Sequence, residues 1–211
     1  MSSRKYIPAL SLKWLTPFYD LLMEGPISEI RMRKDMLAQM GDLNGKKILD
    51  VGCGTGTLAM MVKKAHPAAE VVGLDGDAQI LGIARSKARS HSLDIQFDEG
   101  MSFELPYPDG SFDVVVTTLM LHHLDRDAKT RTAVEMNRVL RPGGRMHGLD
   151  FAEPRGPIGR AIRPALRHLE RVGDNLDGYL PIMFAEAGFA GYREDSRFVL
   201  GSIALFQASK R

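Results

Sequence analysis

Residues 48–57 read ILDVGCGTGT, and the reading of this stretch decides the fold. Residues 48–51 form a short apolar run of the kind a buried strand makes, and residues 57–65 carry a helical pattern. Between them stand Gly52, Gly54 and Gly56 at alternate positions. Without side chains the backbone turns tightly and comes close to a ligand, while the first turn of the following helix offers unpaired N–H groups to a negative group. A ligand-free strand-to-helix connection uses the same turn, so the loop alone names nothing. Its spacing narrows the choice. A dinucleotide site uses G-x-G-x-x-G, whereas Thr57 takes the place of the third glycine here. About 20 residues further on, the run 71–74 ends in Asp75, a carboxylate suited to accept from both hydroxyls of a ribose. Together these point to an adenosine-containing ligand that need not carry a pyrophosphate. An NAD(P)-dependent oxidoreductase and a non-catalytic regulatory domain that binds an adenosine ligand stand as the alternatives.

Working outward, strands are predicted at 48–51, 71–74, 95–97 and 113–118 and helices at 57–65, 78–90 and 127–140. Asp127 caps the last helix and RPGG at 141–144 stops it. The DVVVTT run at 113–118 is β-branched and has no polar face, as a strand buried on both sides requires. Alternating strand and helix predict an α/β, doubly wound, mostly parallel sheet with helices on both faces. The end of the chain breaks the rhythm. Two extended stretches, 192–199 and 202–208, meet at Leu200-Gly201 and predict a closing antiparallel hairpin. Ahead of residue 46, the segment 28–40 reads as an amphipathic helix with Ser28 as its cap. It either covers a sheet edge or forms a lid over the carboxyl ends of the strands.

Composition bounds the rest. The 211 residues hold 28 basic and 26 acidic side chains, a net charge of +2 that gives no sign of a nucleic-acid partner. Cys53 is the single cysteine, so neither an intrachain disulfide nor a Cys-based metal cluster is expected. Lys13 and Asp20 interrupt any apolar signal core, and the longest charge-free stretch, 198–209, is shorter than the about 20 residues a spanning helix needs. A cytoplasmic protein is expected, of an oligomeric state that the sequence leaves open.

The ordered runs ILDVGCGTGTLA, VVGLDGDAQIL, LPYPDGSFDVVVTTLMLHHL and RVLRPGGRMHGLDF resemble the signature blocks of class I S-adenosylmethionine-dependent methyltransferases. They are similar in particular to the branch that includes the ubiquinone and menaquinone biosynthesis enzymes. The resemblance covers residues 48–151 and implies a seven-stranded sheet. It divides the single domain into a lid (1–45), a cofactor-binding core (46–151), a substrate-side insert (152–191) and the hairpin (192–211). It implies S-adenosylmethionine as cofactor, with Asp50 and the Gly52, Cys53, Gly54 and Gly56 loop at the methionine end. Asp75 would take the ribose, Gly76 would flank the adenine, and Thr118 would face the methionine portion. Where the family commonly has an acid for the adenine amino group, this chain has Met101, followed by Ser102. A thioether packed on the purine and the Ser102 backbone would serve instead, at a cost of about 1 kcal/mol for the lost polar contact. Asp98 and Glu99 lie nearby as substitutes.

Methyl transfer needs donor and acceptor held in line, with a general base when the acceptor must lose a proton. His122 and His123 follow the 113–118 strand and are candidates for shaping the loop, touching the substrate or moving that proton. Tyr19 is the candidate from the lid. In the insert, Arg160, Arg163, Arg167 and Arg171 recur at helical spacing opposite Ile162, Ala165, Leu166, Leu169 and Val172, with Pro164 marking the first turn of the main segment. The stripe is either a solvated face or a contact for an anionic substrate or membrane surface. The expected activity is methylation of a small-molecule acceptor of quinone or lipid type. The methylated atom is not readable from the sequence.

Overall fold

The computed structural model describes residues 25–167 and 171–211. Seven strands form one sheet in the order β3-β2-β1-β4-β5-β7-β6: β1 (Lys47–Val51), β2 (Glu70–Asp75), β3 (Gln96–Glu99), β4 (Phe112–Thr118), β5 (Leu140–Phe151), β6 (Phe189–Phe198) and β7 (Ile203–Lys210). The pairs from β3 through to β5 are parallel, and β7 alone runs against both of its neighbours, β5 and β6. The chain builds outward from β1 to β3, then returns across β1 to lay down β4. This reversal opens a crevice beyond the carboxyl ends of β1 and β4, and the glycine loop leaves β1 there.

Both faces of the sheet are buried. Ile48, Val71, Val114, Val116 and Leu149 meet the helices Gly25–Met40, Thr57–Ala65 and Ala78–Ser90. Leu49, Val51, Val72, Val115 and Met146 meet Arg126–Val139 and Tyr179–Glu186 on the other side. Period-two alternation with apolar residues on both faces is why the strands read as unbroken apolar runs. Within Gly25–Met40, Met32, Met36 and Met40 recur every four residues and are fully buried, so this part of the amino-terminal extension covers the sheet. Tyr19 lies outside the described residues.

Several boundaries differ from those expected. The helix expected from Asp127 is Arg126–Val139, capped by Asp125, whose carboxylate accepts from the Ala128 amide at 2.9 Å. The chain passes straight from it into β5, and the RPGG tetrapeptide is a bulge. Leu140 pairs with Phe112 and Arg145 with Val114, so residues 141–144 stand opposite Asp113 alone. A Cβ on Gly144 would lie 2.8 Å from the Arg141 carbonyl oxygen. Ser28 falls inside a helix already running from Gly25. In the insert, Pro164 sits near the end of the helix Gly156–Leu166, not in its first turn, and a separate short helix, Gly173–Leu176, follows.

The insert is fastened from beneath by Lys129. Fully buried, it donates to the Arg171 carbonyl at 3.1 Å and to Asp174 at 3.4 Å. Burial pulls its ammonium pKa down while Asp174 pulls it back up. Beneath Gly25–Met40, the fully buried His147 of β5 donates from Nδ1 to Gln39 Oε1 at 2.7 Å, and its Nε2 has no partner. Burial, with Arg145 nearby, pushes the imidazole down to about 4. The unfolded chain therefore takes up this proton first, near pH 6.5. The contribution of neutral His147 is present above that pH and is lost as pH falls towards 4, by about 3 kcal/mol. Urea unfolding of wild type and His147→Gln at pH 7 and 4.5 checks this: the wild type loses stability relative to the variant on acidification.

Candidate active site

The turn after β1 is built by glycine backbone in the left-handed region: φ is +72° at Gly52, +54° at Gly54 and +73° at Gly56. Two of the three are also closed to a side chain. A Cβ on Gly52 would lie 2.3 Å from Met120 Cγ, and one on Gly56 would lie 2.9 Å from Phe97 Cζ. Gly54 faces open space, with nothing within 4 Å. The Gly52 and Cys53 amides donate to the Leu74 carbonyl, and the Gly54 amide donates to Asp75 Oδ2 at 2.9 Å, so the loop hangs from the end of β2. Lys87 grips the far side through the Thr55 carbonyl and hydroxyl, each at 3.1 Å. The helix that follows has Gly56 as its cap, and no side chain covers its first turn.

Asp50, the last residue but one of β1, is buried, and neither carboxylate oxygen has a hydrogen-bond partner. Burial raises its pKa to about 7. Arg33 pulls it down in part, the charge of Asp75 adds to the rise, and the Ala59 backbone N–H in the first turn of the following helix pulls it down a little. An enclosed carboxylate without a partner, next to a loop with an open face, is complementary to a ligand bearing a cationic amine. The α-ammonium of S-adenosylmethionine is such a group, so the residues fit that cofactor. Cys53 is buried, and burial first, then Asp50 and Asp75, pushes its thiol pKa far up, as in a packing residue and not a nucleophile.

Asp75 stands at the end of β2 with one oxygen on Gly54 and the other on the Asp77 amide at 3.0 Å. Each oxygen keeps a lone pair for a further donor. Next to it, a Cβ on Gly76 would lie 3.1 Å from the Met101 sulfur, so Met101 and Gly76 form one surface. Ser102 is tied by its hydroxyl to Thr132 at 2.9 Å. Asp98, expected as a stand-in acid, already accepts from Gln96 and Tyr107 at 2.8 and 2.9 Å.

Thr118 ends β4, buried, and Leu119 follows at φ +51°. The loop beyond is fastened by Asp150 of β5, fully buried. It accepts from the Met120 and Leu121 amides at 3.1 and 2.8 Å and from its neighbour Phe151 at 2.7 Å. It also accepts from His122 Nδ1 at 2.8 Å and Asn175 Nδ2 at 3.4 Å. A carboxylate only accepts, so His122 donates to it from Nδ1. The two adjacent histidines thus part company: His122 is buried on Asp150 and edge-on to Phe151, while His123 is exposed.

A family model for a methyltransferase domain matches residues 48–144. A demethylmenaquinone methyltransferase of Thermus thermophilus is 35% identical over 182 residues, 85% of this chain and 78% of that protein. The chain belongs to the class I S-adenosylmethionine-dependent methyltransferases. A demethylmenaquinone methyltransferase of Deinococcus radiodurans is 40% identical over 64% of this chain and 59% of its own length. The solved structure of a SAM-dependent methyltransferase from Aquifex aeolicus matches with a TM-score of 0.67 at 17% identity, over 85% of this chain and 89% of that one, a likeness of fold. The nicotinamide and the non-catalytic alternatives find no support in these likenesses.

Sequence reasoning missed three parts of the methyltransferase site. Asp150 carried a signal, an acid ending the strand run MHGLD, but its five donors come from three separate stretches of chain. Lys87 and Asn175 carried none, since nothing local distinguishes them from other helix polar residues.

Asp50 ties the site to stability. Its folded pKa lies above the unfolded value, so the ligand-free protein loses stability as pH rises from about 4 to about 7, by about 4 kcal/mol from this group. In Asp50→Asn this loss disappears in urea unfolding across that range, and calorimetry finds cofactor binding gone. A variant with the wild-type pH slope would show that Asp50 is not buried as an acid.

Proposed function

We propose that this methyltransferase is a cytoplasmic enzyme that methylates the ring of a demethylated quinol bearing a lipid tail. The likeness to the Thermus thermophilus and Deinococcus radiodurans demethylmenaquinone methyltransferases supports that acceptor. The single observation that carries the placement of the cofactor is the partnerless Asp50 carboxylate beside the open face of Gly54.

In this reading Asp50 pairs with the cofactor's α-ammonium, and the Gly52, Cys53, Gly54 and Gly56 backbone lies along its methionine end, with Thr118 across from it. The Asp75 lone pairs accept from the ribose hydroxyls, and Gly76, Met101 and Ser102 border the adenine. When bound, S-adenosylmethionine supplies an electrophilic methyl group whose departing thioether needs no proton. Besides alignment, the chain then has protons to handle: the acceptor's hydroxyl proton is taken as the ring carbon attacks the methyl group, and the hydrogen on that carbon leaves as the ring regains aromaticity and the hydroxyl is restored. His122 is assigned to this proton handling: Asp150 accepts from its Nδ1–H and fixes the ring in the turn that follows β4. His123 and Tyr19 are assigned to the acceptor side.

Calorimetry with the cofactor's demethylated product tests the binding half. Asp75→Ala removes two charge-assisted contacts and weakens binding at least tenfold; undiminished affinity would overturn the ribose assignment. Transfer of labelled methyl to a short-chain demethylated naphthoquinol, with the product identified by mass, tests the acceptor. His122→Gln lowers kcat about 10²- to 10⁴-fold at unchanged product affinity; an unchanged kcat would remove His122 from proton transfer.

A further inference from the structure

The arginine stripe of the insert is largely consumed within the protein. Arg163 and Arg167 share Asp177, and Arg171 reaches Asp125 at 3.4 Å. What faces solvent is another part of the same helix. Ile158 in Gly156–Leu166 is 60% exposed, the most of any large apolar side chain among the described residues, and Pro157 and Ala161 beside it are exposed too. The helix packs on the turn between β6 and β7. A Cβ on Gly159 would lie 2.6 Å from the Leu200 carbonyl oxygen, and the Arg155 amide donates to Gly201 at 3.3 Å. Leu200 is 48% exposed. Val199 and Leu200 hold φ of +48° and +54°, two successive residues without glycine's freedom in the left-handed region, which keeps Leu200 outward. Single exposed apolar residues are ordinary, but here two stand on adjoining backbone.

The helix with its flanking residues carries charge of one sign, though carboxylates of neighbouring segments, Glu194 and Asp177, pair with three of its arginines. Residues 155–167 hold four arginines and no acidic residue. Arg155, 68% exposed, contacts Glu194 at 2.7 Å from the rim of the patch, and Arg160 is exposed on the same helix. The pairing of Phe151 and Phe198 with Ile203 puts this turn at the carboxyl end of β5, the end of the sheet at which the site opens. No helix among the described residues is long and apolar enough to cross a membrane.

We infer that Pro157, Ile158, Ala161 and Leu200, rimmed by Arg155 and Arg160, dock on an anionic lipid surface. An interfacial helix lays its apolar side into the headgroup boundary while its arginines meet lipid phosphates. This deepens the proposed lipid-tailed acceptor, since a face lying on the bilayer beside the site lets the tail stay in the membrane.

The test is vesicle co-sedimentation of the full chain without acceptor, using phosphatidylcholine alone and phosphatidylcholine with phosphatidylglycerol, at low and high salt. Wild type sediments with the anionic vesicles and is released by salt. Ile158→Glu with Leu200→Glu weakens this at least tenfold, Arg160→Glu weakens it severalfold, and Ile83→Glu, on the Ala78–Ser90 helix, leaves it unchanged, all with wild-type affinity for the cofactor product. Equal binding to neutral vesicles, or full binding by the double variant, overturns the inference. So does a wild type that ignores vesicles but is a dimer that the double variant makes monomeric, which would mark the face as a contact between copies. Failure here with retained transfer to a short-chain naphthoquinol would leave the acceptor reading standing.

Discussion

The constraint on which the structure turns is a carboxylate held in the interior without a side-chain hydrogen-bond partner. Asp50 lies on the central strand, flanked by β2 and β4, with Ile48, Leu49 and Val51 filling both faces around it. It is almost wholly buried, Arg33 offsets its charge in part, and Asp75 adds a second negative charge. A scaffold gains nothing from such a group, which makes the ligand-free fold less stable at neutral pH. It makes sense as one half of an ion pair whose other half arrives with a ligand. The surrounding features follow from this. The glycine loop must bring backbone close to that ligand, and Asp75 must hold the loop without using all its lone pairs.

Asp150 shows the opposite use of the same side chain. It is buried as deeply, yet five donors surround it, so its charge is spent inside the protein. Its work is positional: it holds the turn after β4, including the left-handed Leu119, and fixes the ring of His122. Asn175 on the insert joins the same cluster through the Phe151 carbonyl, and Lys129 anchors the insert a few residues earlier in the chain. One buried carboxylate has no side-chain hydrogen-bond partner, and the other binds the turn after β4 to the sheet.

Much of this was legible in the chain. The strands and helices from β1 to β4, the glycine turn and the closing hairpin all rest on local rules: side-chain period, backbone freedom at glycine, and β-branching in buried strands. The misplacements are instructive for the same reason. Asp127 and Asp125 are both fair caps by composition, and only the geometry of the first turn selects Asp125. RPGG looks like a stop signal, but the helix is already over at Val139, and tertiary pairing of Leu140 with Phe112 on one side and Arg145 with Val114 on the other makes the tetrapeptide a bulge. The spacing of the arginines was plain, whereas the carboxylates that take them up, Asp177 and Asp125, come from other segments.

By itself the sequence determined the α/β alternation, the ligand class of the loop and the block order that marks the family, because each depends on neighbours a few residues apart. Tertiary structure alone decided that β7 inserts between β5 and β6, that Asp50 has no partner while Asp150 has five, and that His122 and not His123 is the buried histidine. Those outcomes are set by which distant groups fill the space around a side chain. Burial and partner supply fix whether a charge is spent within the protein or kept for a ligand, and neither is a property of any local stretch of chain.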